Sequence, residues 1–159
     1  AACAAHIVAG QRWAALATVD VHGAPLASQV AYAVNADGLS LILHLSELAA
    51  HTQNLLERQN ASLTVTEPDD GRADPQTLAR CALRGAVRSV APGDECYDAL
   101  RACYLTRLER AVERFEFADF RIFLLQIEAV HFVGGFARAF RPTPAELSGA
   151  LRAIMQYPG

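Results

Sequence analysis

The chain has 159 residues, about half of them apolar, and a net charge of −3, which is the size and composition of one domain with a real core. With so slight a negative charge, a nucleic-acid face is not expected. The apolar runs fall far short of the roughly 18 residues a membrane span needs, which excludes a transmembrane helix.

Residues 1–9 are Ala-rich without a basic start or an extended apolar segment, so no signal peptide is read there and a cytoplasmic location is expected. Residues 4–12 read as a short opening helix. Residues 14–20 then form a strand, His22-Gly23 a turn, and Pro25–Val34 the hairpin partner. On that partner Ala27, Gln29, Ala31 and Ala33 share one face, and Ser28, Val30, Tyr32 and Val34 the other. Asn35-Ala36-Asp37-Gly38 is a strong turn signal. In the third strand Leu41, Leu43 and Leu45 alternate with Ile42 and His44, as in a strand buried on at least one face. Ser46 is expected to cap a helix over 46–58, with Leu48, Leu55 and Leu56 as its apolar positions, before 62–67 resumes a β pattern. His51, Thr52 and Asn54 thereby come close to the strand end, a junction where helix-end amides and short polar side chains can hold a phosphate.

Residues 68–75, PDDGRADP, form a polar loop. The spacing in 77–90 fits a helix or a strand; the neighbouring hairpins favour a long strand with a bend or bulge at Gly85. The clearest helix is 94–115, where Tyr97, Leu100, Tyr104, Leu108, Ala111 and Phe115 recur at spacings of three and four. Residues 119–127 and 130–137 make a closing pair of strands, and Pro142 and Pro144 introduce a short helical tail over 145–155. Neither internal repeats nor a second domain are read. The fold class is mainly β with peripheral helices (α+β): a six- to seven-stranded antiparallel β-barrel, closed or split, filling 1–159.

Several chemistries fall away. Every basic residue is arginine, so no lysine can form a Schiff base, and phosphate would have to be held by Arg forks, His, hydroxyls or amides. Cys3, Cys81, Cys96 and Cys103 lack C-x-x-C or zinc spacing and read as reduced, mostly buried thiols, with Cys96 and Cys103 placed to share one helix face. His6, His22, His44, His51 and His131 have no ligand spacing, so no metal site is expected. Glu116 and Asp119 read as a solvated edge rather than a catalytic pair. With no nucleophile-plus-base constellation, no catalytic residue is named, and a cofactor would carry any chemistry.

The order W-A-A-L-A-T-V-D, H-G-A-P-L-A-S-Q-V-A-Y, L-H-L-S-E-L-A-A-H-T-Q-N-L, A-S-L-T-V and L-R-G-A-V resembles the pyridoxamine 5′-phosphate oxidase-like FMN-binding split barrels. The closing F-V-G-G-F-A-R-A is similar to their haem-utilisation branch, which includes FMN-binding and haem-degrading members. The resemblance implies a homodimer with FMN at the subunit interface. Carried over by position, Ser28, Gln29 and Val30 fall where the family contacts phosphate and ring, and Leu45 and Ser46 where strand-end backbone meets the isoalloxazine. His51 and Thr52 fall where the oxidases have a basic phosphate ligand, and Arg80 at another flavin-contacting position. Gly135 and Phe136 would approach the flavin of the other subunit. Each has a bland rival: Ser28 as an ordinary strand serine, His51 as a helix-surface histidine, Arg80 as the partner of a carboxylate such as Glu67, and the glycines as a bulge.

The chain departs from the family in two places. It lacks the Arg-Leu-His-Asp-Arg type substrate motif of the oxidases, and no histidine follows His131 to serve as the C-terminal iron ligand of haem-degrading relatives, leaving His44 or His131 as substitutes. The expected function is an FMN-dependent oxidoreductase acting on a small molecule. The alternatives are a haem-binding or haem-degrading barrel and a non-catalytic flavin-binding module, with F420 as an alternative flavin. No nucleic-acid or membrane partner is expected.

Overall fold

The computed structural model describes residues 1–135 and 139–156. Its elements follow the order α1 (Ala2–Gly10), β1 (Trp13–Val19), β2 (Pro25–Val34), β3 (Ser40–Ser46), α2 (Ala50–Glu57), β4 (Asn60–Thr66), β5 (Arg80–Val90), α3 (Tyr97–Arg107), β6 (Phe120–Val133), β7 (Ala139–Phe140) and α4 (Pro144–Gln156). Every ladder is antiparallel. The strands run in the order β3-β2-β1-β4-β5-β6-β7, and a further β3–β6 pairing closes the first six into a barrel with β7 outside it. The protein is therefore mainly β with peripheral helices.

Period-two alternation builds the interior. Leu16, Val30, Tyr32, Leu41, Leu43, Leu63, Leu83, Phe123 and Leu125 point inward and are buried. β3 is buried on both faces, because α3 and the 3-10 segment Glu109–Glu116 cover its outside. A second cluster of Ala33, Ile42, Val90, Leu100, Tyr104 and Ile122 forms there. α1 stoppers one end of the barrel. Its last carbonyls, which no helical N–H can reach, are each satisfied: Gln11 N–H donates to Ile7 O, the buried Tyr32 hydroxyl donates to Val8 O at 2.7 Å, and Arg107 Nη2 donates to Ala9 O and Gly10 O.

Gly85 sits at a bulge as expected. The β5–β6 register slips between Arg84 and Gly85, so that Arg84 faces Ala129 and Gly85 faces Ile127. A Cβ on Gly85 would lie 1.6 Å from the carbonyl oxygen of Gln126, so no larger residue fits this close backbone approach.

Four expectations need correction. The helix read over 94–115 ends at Arg107, because Leu108 takes an extended φ of −133°, and a 3-10 segment follows. The two closing strands are one strand, β6, carried past its irregularity by the bulge. The second helix begins at Ala50, not Ser46. The Ser46 hydroxyl instead donates to Asp119 and accepts from Leu48 N–H, making a turn in which Leu48 is 85% exposed; Leu56 is exposed too, and only Leu55 of the three leucines is buried. Finally, Cys3 is exposed, Cys96 and Cys103 are half-buried, and only Cys81 is fully enclosed, where burial pushes its thiol up to about 12.

Candidate functional site

Along one seam the barrel is split. β2 and β3 pair only through Tyr32, Ala33 and Val34 opposite Leu43, Ile42 and Leu41. Beyond that point β2 stays with β1, where Val30 faces Ala14 and Ser28 faces Leu16, while β3 stays with β6, where Leu45 faces Arg121 and Ser46 faces Phe120. The same register would set Val30 against Leu45 and Gln29 against Ser46, but no ladder joins them. Ser28, Gln29, Val30, Leu45 and Ser46 thus form the two lips of the split, with no ladder across the seam between them. α2 lies at this end of the barrel, where Asn54 Nδ2 donates to Thr18 Oγ1 at 3.0 Å.

α2 also carries His51 and Thr52. Burial lowers the His51 pKa below its usual value, so the imidazole is neutral at neutral pH and is a poor counter-charge for a phosphate. Thr52 is fully buried, and its hydroxyl has no hydrogen-bond partner among the described residues. An orphaned buried hydroxyl is a fitting donor for a ligand oxygen.

Arg80 and Gly135 do not reach this place within one chain. Arg80 faces Thr66 and Val133, at the opposite end of β6 from the Ser46–Phe120 pair. The 14 residues of β6 span roughly 40 Å at about 3.3 Å each, so the two groups sit at opposite ends of the barrel. Arg80 Nη1 donates to the carbonyls of Gln76 and Leu78, while Glu67 is taken by Arg72 at 3.0 Å rather than by Arg80. Gly135 has a φ of +91°, and Phe136 lies outside the described residues. Asp119, read as a solvated edge, instead fixes the Ser46 lip, and Glu47 beside it pairs with Arg121 at 2.7 Å.

The opposite end holds a feature the sequence reading missed. A cleft of about 960 Å³ opens between α1, α4 and the Arg80 end of the β5–β6 pair. Cys3, His6, Ile7 and Gly10 line it from α1, with Ala79, Phe132, Phe140 and Ile154 opposite. The spacing of three and four among those α1 positions was the available signal. Phe132 and Phe140 lie near-parallel, their ring centroids 6.4 Å apart, and Phe140 is exposed. Glu67, on the cleft wall, has its pKa lowered by the Ala79 N–H and Arg72.

His44, a candidate iron ligand by sequence, is sealed away. Its ring stacks on Phe115 at 3.8 Å and 9°, with Tyr104 and Phe120 around it, and its Nδ1 has no partner among the described residues. Burial, together with Arg114 and Arg101, depresses its pKa to about 4. His131 projects from the outer face of β6, opposite Ala82. Among the described residues no group of three or more His, Cys, Asp or Glu could hold a metal ion, and no helix is long and apolar enough to cross a membrane.

A six-stranded antiparallel barrel, closed by β3–β6, parted along β2–β3 and flanked by helices, is the architecture of the split-barrel proteins. Residues 1–141 match the family model "CREG, beta-barrel", and the chain belongs to that family. It is 35% identical over 119 residues to the non-canonical heme oxygenase HOZ, chloroplastic, of Arabidopsis thaliana, a match covering 74% of this chain and 34% of the relative. A heme binding protein from Mycobacterium smegmatis superposes with a TM-score of 0.82 at 29% identity, over 92% of this chain and 58% of that one. A pyridoxamine 5′-phosphate oxidase-related, FMN binding protein from Nostoc punctiforme does so with a TM-score of 0.58 at 16% identity, over 82% and 80% of the two chains. Identity that low speaks for the fold alone. The chain spans about a third of the plant relative and little over half of the mycobacterial one.

Proposed function

We propose that this barrel binds haem, in the cleft between α1, α4 and the Arg80 end of the β5–β6 pair. The observation that carries the reading is the cleft: about 960 Å³ of space, at the upper end of the range for small-molecule sites, walled by apolar and aromatic side chains with nitrogen and sulfur donors on one side only. An iron porphyrin needs an apolar site and a side-chain ligand such as imidazole, and the lining supplies apolar walls and His6. Bound haem would supply redox-active iron. The chain's own part is to exclude water with Ile7, Phe132 and Ile154 and to offer Phe140 as an aromatic wall. The 35% identity to a haem oxygenase and the fold shared with a haem-binding protein support the same choice. Titration with hemin tests it: a sharp Soret change saturating near one haem per chain is expected, and purely linear, non-saturating absorbance would remove the reading.

A second reading rests on the split. FMN would set its ring edge in the seam where Ser28, Gln29 and Val30 part from Leu45 and Ser46, with His51 and Thr52 near its phosphate. Arg80, Gly135 and Phe136 would then come from a second copy, making the flavin site a property of a homodimer. The outer face of β1, β2, β4 and β5 suits such a partner, because Ala15, Ala17, Ala27, Ser62, Thr64 and Ala82 leave it low and free of a covering helix. The site would serve an oxidoreductase acting on a small molecule, or a store without turnover. A yellow, dimeric protein releasing one FMN per chain would establish this reading, and a monomer that takes up no FMN would remove it.

A further inference from the structure

Resting on the haem reading, we propose that His6 would hold the haem iron through an imidazole nitrogen, from the wall that α1 gives to the cleft. Of the five histidines, His22 lies in the exposed β1–β2 turn and His51 on α2 at the far end of the barrel. His44 is enclosed by Tyr104, Phe115 and Phe120, and His131 stands on the outer sheet face. His6 alone lines the cleft. Its side chain is exposed, so the ring can turn toward a ligand without breaking a packed core.

The backbone behind it is fixed. Ala4, Ala5 and Val8 are buried on the other face of α1, and Tyr32 and Arg107 hold the carboxyl end of the helix. A ligand mounted on so anchored a helix keeps its position relative to the opposite wall. Cys3 lies one turn earlier on the same face, about 5–6 Å away between Cβ atoms. We assign the iron to His6 because a neutral imidazole binds without losing a proton, whereas a thiol must first ionise. Glu67, the carboxylate of the cleft wall, is paired to Arg72 at 3.0 Å and is not free to compete.

The experiment is hemin titration of the whole chain as wild type, His6→Ala, His6→Gly and Cys3→Ser, read by the Soret band and by electron paramagnetic resonance of the ferric state. His6→Ala is expected to shift the Soret maximum and weaken binding by about tenfold or more. Added imidazole should restore the wild-type spectrum in His6→Gly, and Cys3→Ser should leave it unchanged. His6 is exposed, so thermal melts of the His6 variants should match the wild type. Saturable binding with the same spectrum in every variant would overturn the ligand assignment while leaving the haem reading intact. Loss of the spectrum in Cys3→Ser alone would move the iron to sulfur and also overturn it. No saturable binding by the wild type would remove both.

Discussion

At the α2 end the barrel is polar and parted: β2 and β3 separate after three ladder pairs, Asn54 reaches Thr18, Ser46 is tied to Asp119, and the Thr52 hydroxyl has no partner among the described residues. At the α1 end it is apolar and stoppered, with Tyr32 closing the helix and a cleft of about 960 Å³ beyond. The same alternating strands make both ends. What differs is the helix that plugs each one. α2 leaves strand edges open to a hydrogen-bonding ligand, while α1 and α4 leave apolar volume with an imidazole beside it. The flavin and haem readings thus occupy opposite ends of one barrel, and variants at either end separate them.

The largest effect should strike the frame both ends share. Gly85→Ala forces a Cβ into the Gln126 carbonyl and is expected to cost about 3 kcal/mol or more, lowering the urea midpoint and abolishing ligand binding at both ends. An unchanged midpoint would mean that the β5–β6 bulge is not rigid.

Acid should weaken the wall beside the split next. The folded protein holds His44 neutral down to about pH 4, whereas the unfolded chain protonates it from about 6.5. The unfolded state therefore binds more protons between those values. Stability is full above pH 6.5 and falls, by up to about 3 kcal/mol, as pH drops to 4. His44→Phe should flatten that portion of the curve, and an equal slope in wild type and variant would refute the assignment.

Tyr32→Phe removes a buried hydrogen bond and leaves the Val8 carbonyl unpaired, a loss of about 1–2 kcal/mol seen in chemical denaturation. It should weaken hemin binding at the loosened α1 end and leave FMN uptake alone. The smallest effect has the opposite sign. Thr52→Val replaces a partnerless buried hydroxyl with a methyl and should raise stability by up to about 1 kcal/mol. If the split holds a flavin phosphate, the same change lowers FMN retention. If FMN uptake is untouched, that end does not bind through Thr52.

Local pattern alone determined much of this molecule. The alternation of Leu41, Leu43 and Leu45, the faces of β2, the hairpin at His22-Gly23 and the bulge glycine at Gly85 were all legible, because strand period and turn chemistry act over a few residues. Ser28 to Val30 and Leu45 to Ser46 were named from a family resemblance, and it is the register of the ladders that sets them on either side of one seam. The break at Leu108 was not legible. Helical spacing continues through Ala111 and Phe115, yet the chain turns at Leu108 and the 3-10 segment that follows seats Phe115 on the His44 ring. The same is true of Asp119, a surface carboxylate by sequence, which gains its role from a strand 73 positions away. The α1 cleft belongs to tertiary structure entirely. Cys3 and His6 share a helix face by local geometry, but the opposing wall comes from the β4–β5 connection, β6, β7 and α4, and no short-range rule joins elements so far apart along the chain.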